Sequence, residues 1–476
     1  MPNGVVARNG GRWGIAALVA IVLLGLGLRV GEAWDGRAPV FDATAYAAIA
    51  RNLDEGHGFT VGASATQPSS DYSPGLPLFV AGIYKVTGDV HERLARLVLA
   101  LLGTLAVLFT YLIARRLAQP RVLGSPEGDK GRGVAAGGPM PGRAVVAALI
   151  AALVVAIYPA TIEYTGMLMT EPLAATLLAG AMLGIFWAGD GDALRRWIVP
   201  GLTLGALALV RPEYLAIGFL LAVLVLAHEH LKVHKQRLAE IAEARDRPPS
   251  WPRPLKVAAI LVLGIVVVVA PWTARNAFAL HRFVSVSTGG GQVLYSGTYL
   301  PSDGNPEKVG AGVVAEHPEL FGPHALENLR LEQILARLAE ARYPGMEPDQ
   351  ALSKMGKEQL ERNIIHHTGE YVGFLAKKVG RIWSHGPRAV MREPVWEALH
   401  WVLLGLGLFG LGLLLYYRRW EAMMIGVVFL AITAISALLV ASPRRVLVLI
   451  PLLSACAGAA IAWIAAPRRA KAEPVS

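Results

Sequence analysis

Eight ionisable side chains, Asp42, Glu163, Glu171, Arg211, Glu213, Arg275, Arg444 and Arg445, stand at the ends of apolar runs or just beyond them. A charge at mid-bilayer is penalised by about 2.5 to 3.5 kcal/mol even on lenient insertion scales, so charges beside apolar runs require a reason. A carboxylate can take a proton from a substrate, and a guanidinium can hold an anion through charge-assisted hydrogen bonds. Gathered on one surface, the eight would face a substrate arriving laterally in lipid.

Several of them also suit plainer roles. Asp42 is a good N-cap for the helix-forming run that starts at Ala43, although no Glu or Gln follows three residues on to make a capping box. Glu171 in "MTEPL" suits the first turn of a helix, with Pro172 beside it. Arg211, before Pro212, and Arg275, in "PWTARN", suit boundary anchors reaching for lipid head groups. The adjacent pair His366 and His367 points in two directions on a helix and makes no metal site by itself. There is no "HExxH", no P-loop and no phosphate-binding "GxGxxG" after a strand, and "TGGG" at Thr288 to Gly291 is a weak signal.

The elements that position these groups are apolar. Of 476 residues 54% are hydrophobic and 17% charged, with a mean hydropathy of +0.46, which places the chain among polytopic membrane proteins. The net charge of +10 comes from short Lys/Arg clusters between apolar runs, not from one basic face, so nucleic acid is not an expected partner. The single cysteine, Cys456, lies in an apolar run, which excludes an intrachain disulfide and a cysteine zinc site.

Runs of spanning length occur near 14–33, 94–114, 144–162, 170–188, 255–273, 396–417, 420–441 and 446–466. Two shorter ones, near 197–210 and 213–228, meet at "VRPEY" as a pair of short helices broken at Pro212. About ten spans are expected, the first an uncleaved anchor. The segment "SPGLPLFVAGIYKVTG" is too short to join them. If it does not cross, the basic clusters at Arg115/Arg116, Arg195/Arg196, Arg253/Lys256 and Arg418/Arg419 share one side, as the positive-inside rule demands. It is therefore expected to lie in the outer leaflet as an interfacial helix.

Three units follow: a membrane module over 1–272 with a first outer loop at 35–93, an outer segment over 273–394, and C-terminal spans with a basic tail over 395–476. In the outer segment, "HRFVSVSTGGGQVLYSGTYLPSDG" has the character of extended structure and turns. Beyond it, helical periodicity carries an apolar stripe of Leu360, Ile364, Tyr371, Phe374 and Leu375. The segment "GSPEGDKGRGVAAGGPMPG" reads as a disordered linker. In "VFDATAYAAIARNLDEGHGF", Tyr46, Ile49 and Leu53 form the face that would hold a surface helix against the membrane module.

Five stretches carry a resemblance in order along the chain: "FDATAYAAIARNLDEGHGF", "YSPGLPLFVAGIYKVTGD", "MTEPL", "PWTARNAFALHRFVSVSTGGGQVLYSGT" and "RRVLVLIPLLSACAGAAIA". They look like the bacterial glycosyltransferase family 39 proteins of the GT-C superfamily, relatives of protein O-mannosyltransferases and the lipid A aminoarabinose transferase. The resemblance implies a GT-C membrane fold with a small mixed or helical outer domain. It also implies transfer of a sugar from a polyprenyl-phosphate donor to a lipid, glycan or protein acceptor, at a site facing the periplasm or cell exterior of a plasma (inner) membrane.

Asp42 maps to the acidic residue of the first outer loop and Glu171 to a second acidic position. Asp42 is expected to be the base, and Glu171 to orient the acceptor or hold an arginine. Arg275, with Arg211 or Arg444/Arg445, is expected to take the phosphate charge, with Tyr46, Tyr72 and Asn276 as further substrate-binding candidates. Inversion at the anomeric carbon is expected, with no metal required, although a divalent cation between Asp42 and the phosphate is compatible with the scheme. The family's Lys-Pro-Pro-Leu is replaced here by "DYSPGLPL", and its Arg-Tyr by Arg444-Arg445-Val446. The alternative reading is a transporter or lipid flippase, which would favour internal repeats and charges near the midplane.

Overall fold

A backbone in lipid must satisfy its hydrogen bonds internally, and runs of Ala, Leu and Val do so as helices. The computed structural model describes residues 3–36, 42–62, 67–119, 141–242, 252–384 and 386–466, and no β-strand occurs among them. The membrane module contains α1 (Asn3–Asp35), α2 (Asp42–Asp54), α3 (Gly75–Thr87), α4 (Glu92–Leu117), α5 (Pro141–Ile157), α6 (Pro159–Glu163), α7 (Thr170–Gly189), α8 (Ile198–Val210), α9 (Glu213–Ala242) and α10 (Pro252–Leu280). Residues 124–140 of the expected linker lie outside the described residues.

The outer segment folds as α11 (Gly290–Thr298), α12 (Val309–Glu316), α13 (Ala325–Asn328), α14 (Leu331–Arg342), α15 (Pro348–His366) and α16 (Thr368–Ser384). The chain returns through α17 (Pro394–Tyr416), α18 (Trp420–Leu438), the single turn α19 (Arg444–Leu447) and α20 (Ile450–Ile464). Seven of the described helices are long and apolar enough to cross a membrane, and eight spans result if α5 and the bent stretch after Tyr158 are taken together. The 53° bend falls where Pro159 removes a backbone donor. The expected number of ten is reached only by adding α8 and α20, which have 13 and 15 residues.

One end of the bundle is closed by ion pairs. Arg116 pairs with Asp190 and with the buried Glu421. Arg253 reaches the equally buried Glu229, and Arg419 the same Glu421. These pairs join ends of α4, α7, α10 and α18 to the middle of α9, and Arg253 also reaches Asp192, so Arg116, Arg253 and Arg419, from three of the clusters expected to share a side, do share one. α9 runs 30 residues, well past the short helix expected there.

Helices approach closely where side chains are small, as membrane packing favours. A Cβ on Gly264 of α10 would come within 2.7 Å of the Gly201 backbone of α8. One on Gly410 of α17 would collide with the Cys456 carbonyl of α20.

The opposite end carries α2, α3 and the outer segment. α3 does not cross. Leu76, Val80 and Tyr84 of this helix are buried, and Gly75 lies against the backbone of Leu209 and Val210 at the end of α8. α2 buries Tyr46 and Ile49, while Leu53 packs beside Phe59 and Trp272, as the apolar face anticipated. The outer segment has its own core, where Ile334, Leu335 and Leu338 meet Val309, Val313, Tyr295 and Tyr299.

Two expectations for that segment change. The Gly-rich stretch holds helix α11 instead of extended structure throughout. The apolar stripe is cut at His367, so Tyr371 and Phe374 are buried on α16 while Ile364 stays exposed on α15.

Candidate active site

A cavity of about 380 Å³ lies where the membrane helices meet the outer segment. One wall comes from the helix ends: Asp42 opens α2, Arg211 and Glu213 flank the break at Pro212, and Arg444 and Arg445 open α19. The facing wall comes from the outer segment and includes Gln292, Val293 and Ser296 of α11, with Pro306 and Leu331. The breaks themselves place the charges. Pro212 prevents α8 from continuing into α9, and Pro443 starts the short turn at Arg444, so arginines stand at interrupted helix ends where they need not enter lipid.

Arg444 joins both predicted acids. Its Nη1 donates to Asp42 Oδ2 at 2.8 Å, and its Nε donates to Glu171 Oε1 at 2.7 Å. Glu171 is 2% exposed and sits behind the arginine, also 3.6 Å from Arg211 Nη1. Asp42 keeps 40% of its side chain exposed, at the cavity. Arg211 Nε donates to Glu213 Oε1 at 3.0 Å, and Arg445 Nε lies 3.7 Å from the same oxygen. Arg445 Nη1 also donates to the Val440 carbonyl at 2.6 Å. Three arginines and three carboxylates therefore interlock, and Arg211 Nη1 finds no hydrogen-bond partner among the described residues.

Burial opposes the charge on Arg444, but Glu171 and Asp42 outweigh it and hold the guanidinium protonated. The same contest at Arg211, with Glu213 and Glu171 opposing burial, ends the same way. For Arg445 burial wins and the pKa falls below the ordinary arginine value. Tyr46 is pushed up first by burial and then by Asp42 and Glu171, so its phenol stays a neutral donor in the cavity wall. Tyr72 stacks edge-on against Tyr46, with ring centroids 5.5 Å apart, and is one layer removed from the cavity lining.

Arg275 and Asn276 are placed elsewhere. The Arg275 guanidinium donates to the Ser69 and Phe59 carbonyls at 2.7 and 3.2 Å and lies over the Trp272 ring. Asn276 is fully buried and donates to the Val284 and Val286 carbonyls at 3.1 and 3.2 Å. Arg275 pins the first outer loop to α10 and Asn276 pins the 284–286 stretch to it, and neither lines the cavity. Sequence reasoning gave no role to Glu213, which joins Arg211 and Arg445, although its place at a span end was the available signal. Ser296 and Gln292 carried no signal at all, being ordinary polar residues in a Gly-rich stretch.

The donor set bears on a metal. Asp42 and Glu171 share Arg444, and Glu213 is flanked by two arginines, an arrangement that suits an anion better than a divalent cation. Among the described residues no group of three or more His, Cys, Asp or Glu side chains is placed to hold a metal ion.

No protein-family model matches the chain, and no curated protein matches it in sequence. Among solved structures it is similar to the oligosaccharyltransferase of Archaeoglobus fulgidus in the apo form, with a TM-score of 0.51 and 14% identity over 94% of this chain. The match covers 50% of that enzyme, so the chain spans about half its length. The same enzyme in complex with zinc and sulfate gives a TM-score of 0.49 at 16% identity, over 94% of this chain and 48% of that one. ArnT from Cupriavidus metallidurans bound to undecaprenyl phosphate gives 0.38 at 16% identity, over 92% of this chain and 77% of that one. The fold is thus that of a helical protein with several helices long and apolar enough to cross a membrane, similar to the fold of the archaeal oligosaccharyltransferase.

Proposed function

We propose that the chain is a membrane glycosyltransferase that moves a sugar from a polyprenyl-phosphate donor to an acceptor hydroxyl at the outer face of the membrane. The observation that carries this reading is the cavity itself, in which one exposed carboxylate, Asp42, stands beside three arginines, Arg211, Arg444 and Arg445. Its place between the helix ends and the outer segment suits a ligand whose tail remains in lipid. The fold likeness to an oligosaccharyltransferase agrees with it.

In the reaction the acceptor oxygen attacks the anomeric carbon while its proton passes to the Asp42 carboxylate. The bond from that carbon to the phosphate oxygen breaks, and the lipid phosphate leaves with the electron pair. Arg211, Arg444 and Arg445 receive the charge in a partly water-excluded site, where such donors act most strongly. A single displacement inverts the anomeric configuration. Glu171 holds Arg444 in place from behind.

Binding of polyprenyl phosphate to the purified protein tests the arginine half of this reading. Arg211→Ala is expected to weaken binding by about tenfold or more, in keeping with loss of a charge-assisted hydrogen bond. Equal binding by wild type and variant would contradict it.

A further inference from the structure

Resting on that reading, we propose that the α11 edge formed by Gln292 and Ser296 reads the hydroxyl groups of the donor's sugar, and that this sugar is neutral. Ser296 is 6% exposed and lines the cavity, yet its Oγ has no hydrogen-bond partner among the described residues. A buried hydroxyl is costly to leave unpaired, and one carried by a residue of the cavity wall is a donor and acceptor that a ligand pressed against that wall can satisfy. Gln292 stands one helical turn earlier on the same face and adds an amide with donors and an acceptor.

The edge is fixed in place. Asp349 Oδ1 accepts from the backbone nitrogens of Gly291 and Gln292 at 2.8 and 3.3 Å. At the other end Thr298 Oγ1 donates to Gln359 Oε1 at 2.9 Å, and Asn363 Nδ2 to the Thr298 carbonyl at 2.7 Å. A Cβ at Gly291 would collide with the Asp349 carbonyl, and one at Gly297 with the Leu439 backbone, so the helix is packed against both α15 and the end of α18. A wall held this way can discriminate by geometry.

Charge gives the chemical class. The outer-segment residues that line the cavity, Gln292, Val293, Ser296, Pro306 and Leu331, carry no formal charge, whereas the facing wall carries five. The phosphate belongs with the arginines, and the sugar beyond it meets neutral donors and acceptors. An ammonium or carboxylate on the sugar would meet no opposite charge on this wall.

The test compares the full chain with Ser296→Ala and Gln292→Ala on polyprenyl-phosphate donors bearing a neutral hexose or pentose, single-deoxy versions of each, and amino or uronic versions. Release of polyprenyl phosphate gives kcat/KM, and binding of polyprenyl phosphate alone is measured beside it. Wild type is expected to prefer a neutral sugar over one of its deoxy versions, and Ser296→Ala to shrink that preference about tenfold, the loss of one hydrogen bond. Binding of the lipid phosphate is expected to be unchanged. Identical donor preferences in all three proteins, a wild-type preference for charged sugars, or an equal loss of lipid-phosphate binding would overturn the proposal. Wild type that releases polyprenyl phosphate from none of the donors would instead overturn the glycosyltransferase reading on which it rests.

Discussion

Arg444 donates to Asp42 across 2.8 Å although the two are 402 positions apart. The first surface helix and the last outer turn of the chain are thereby locked together at the cavity. The lock also fixes the carboxylate's orientation, since one oxygen is held by the arginine while the side chain stays exposed to the space in front of it.

Behind that lock, Glu171→Gln removes the buried partner of Arg444. Breaking a buried pair by deleting one side costs about 3 to 5 kcal/mol, because the other charge stays buried without compensation. The variant is expected to unfold at a clearly lower temperature than wild type in the same detergent. An unchanged Tm would show that Glu171 does not anchor the arginine.

Arg275→Ala is expected to loosen the first outer loop without touching the anion site. Its guanidinium is engaged with the Ser69 and Phe59 carbonyls. Limited proteolysis should cut faster near 59–70, while binding of polyprenyl phosphate stays at the wild-type level. A matching loss of lipid-phosphate affinity would return Arg275 to the phosphate-binding role that its sequence position suggested.

Lys378 is 1% exposed and donates to the Gly297 and Leu439 carbonyls at 2.7 and 2.5 Å, joining α11 to the end of α18. Burial, and then the Arg445 charge, push its pKa down to about 7. The unfolded chain holds that proton up to about pH 10.4, so between the two values the unfolded state binds more protons and stability rises with pH. Below about pH 7 the full penalty of burying the ammonium is present. Tm measured from pH 6 to 9 should climb in wild type by more than in Lys378→Met. Parallel profiles would remove the lysine from this account.

Much of this was legible because apolar length and prolines are local signals. The interfacial helix α3, the face of α2 and the break at Pro212 all follow from spacing within a dozen residues. The pairing of Arg444 with Asp42 and Glu171 is not local, and no pattern in the chain says which arginine meets which acid. Arg275 shows the limit most clearly, since a guanidinium serves a phosphate or a pair of backbone carbonyls equally well. The glycines around α11 read as turn signals. Gly289 does turn, with φ of 87°, but Gly291 and Gly297 are there for close packing of a helix.

The side on which the cavity opens is tested by labelling. Cys456 is buried, so background reaction with a thiol reagent is expected to be low. His324 and Asp192 are exposed at opposite ends of the molecule, with 70% and 95% of their side chains accessible. In intact cells a membrane-impermeant reagent should modify His324→Cys and spare Asp192→Cys. The reverse pattern would place the cavity at the inner face.

The central claim rests on Asp42 and on a lipid-phosphate donor. The most direct measurement is release of polyprenyl phosphate from a panel of polyprenyl-phosphate sugars, by purified wild type and Asp42→Asn, with membrane extract supplying acceptors. Wild type is expected to release it, and the variant to be slower by about 100- to 10,000-fold, the usual worth of a general base. Release at the same rate by both proteins, or by neither, would contradict the account.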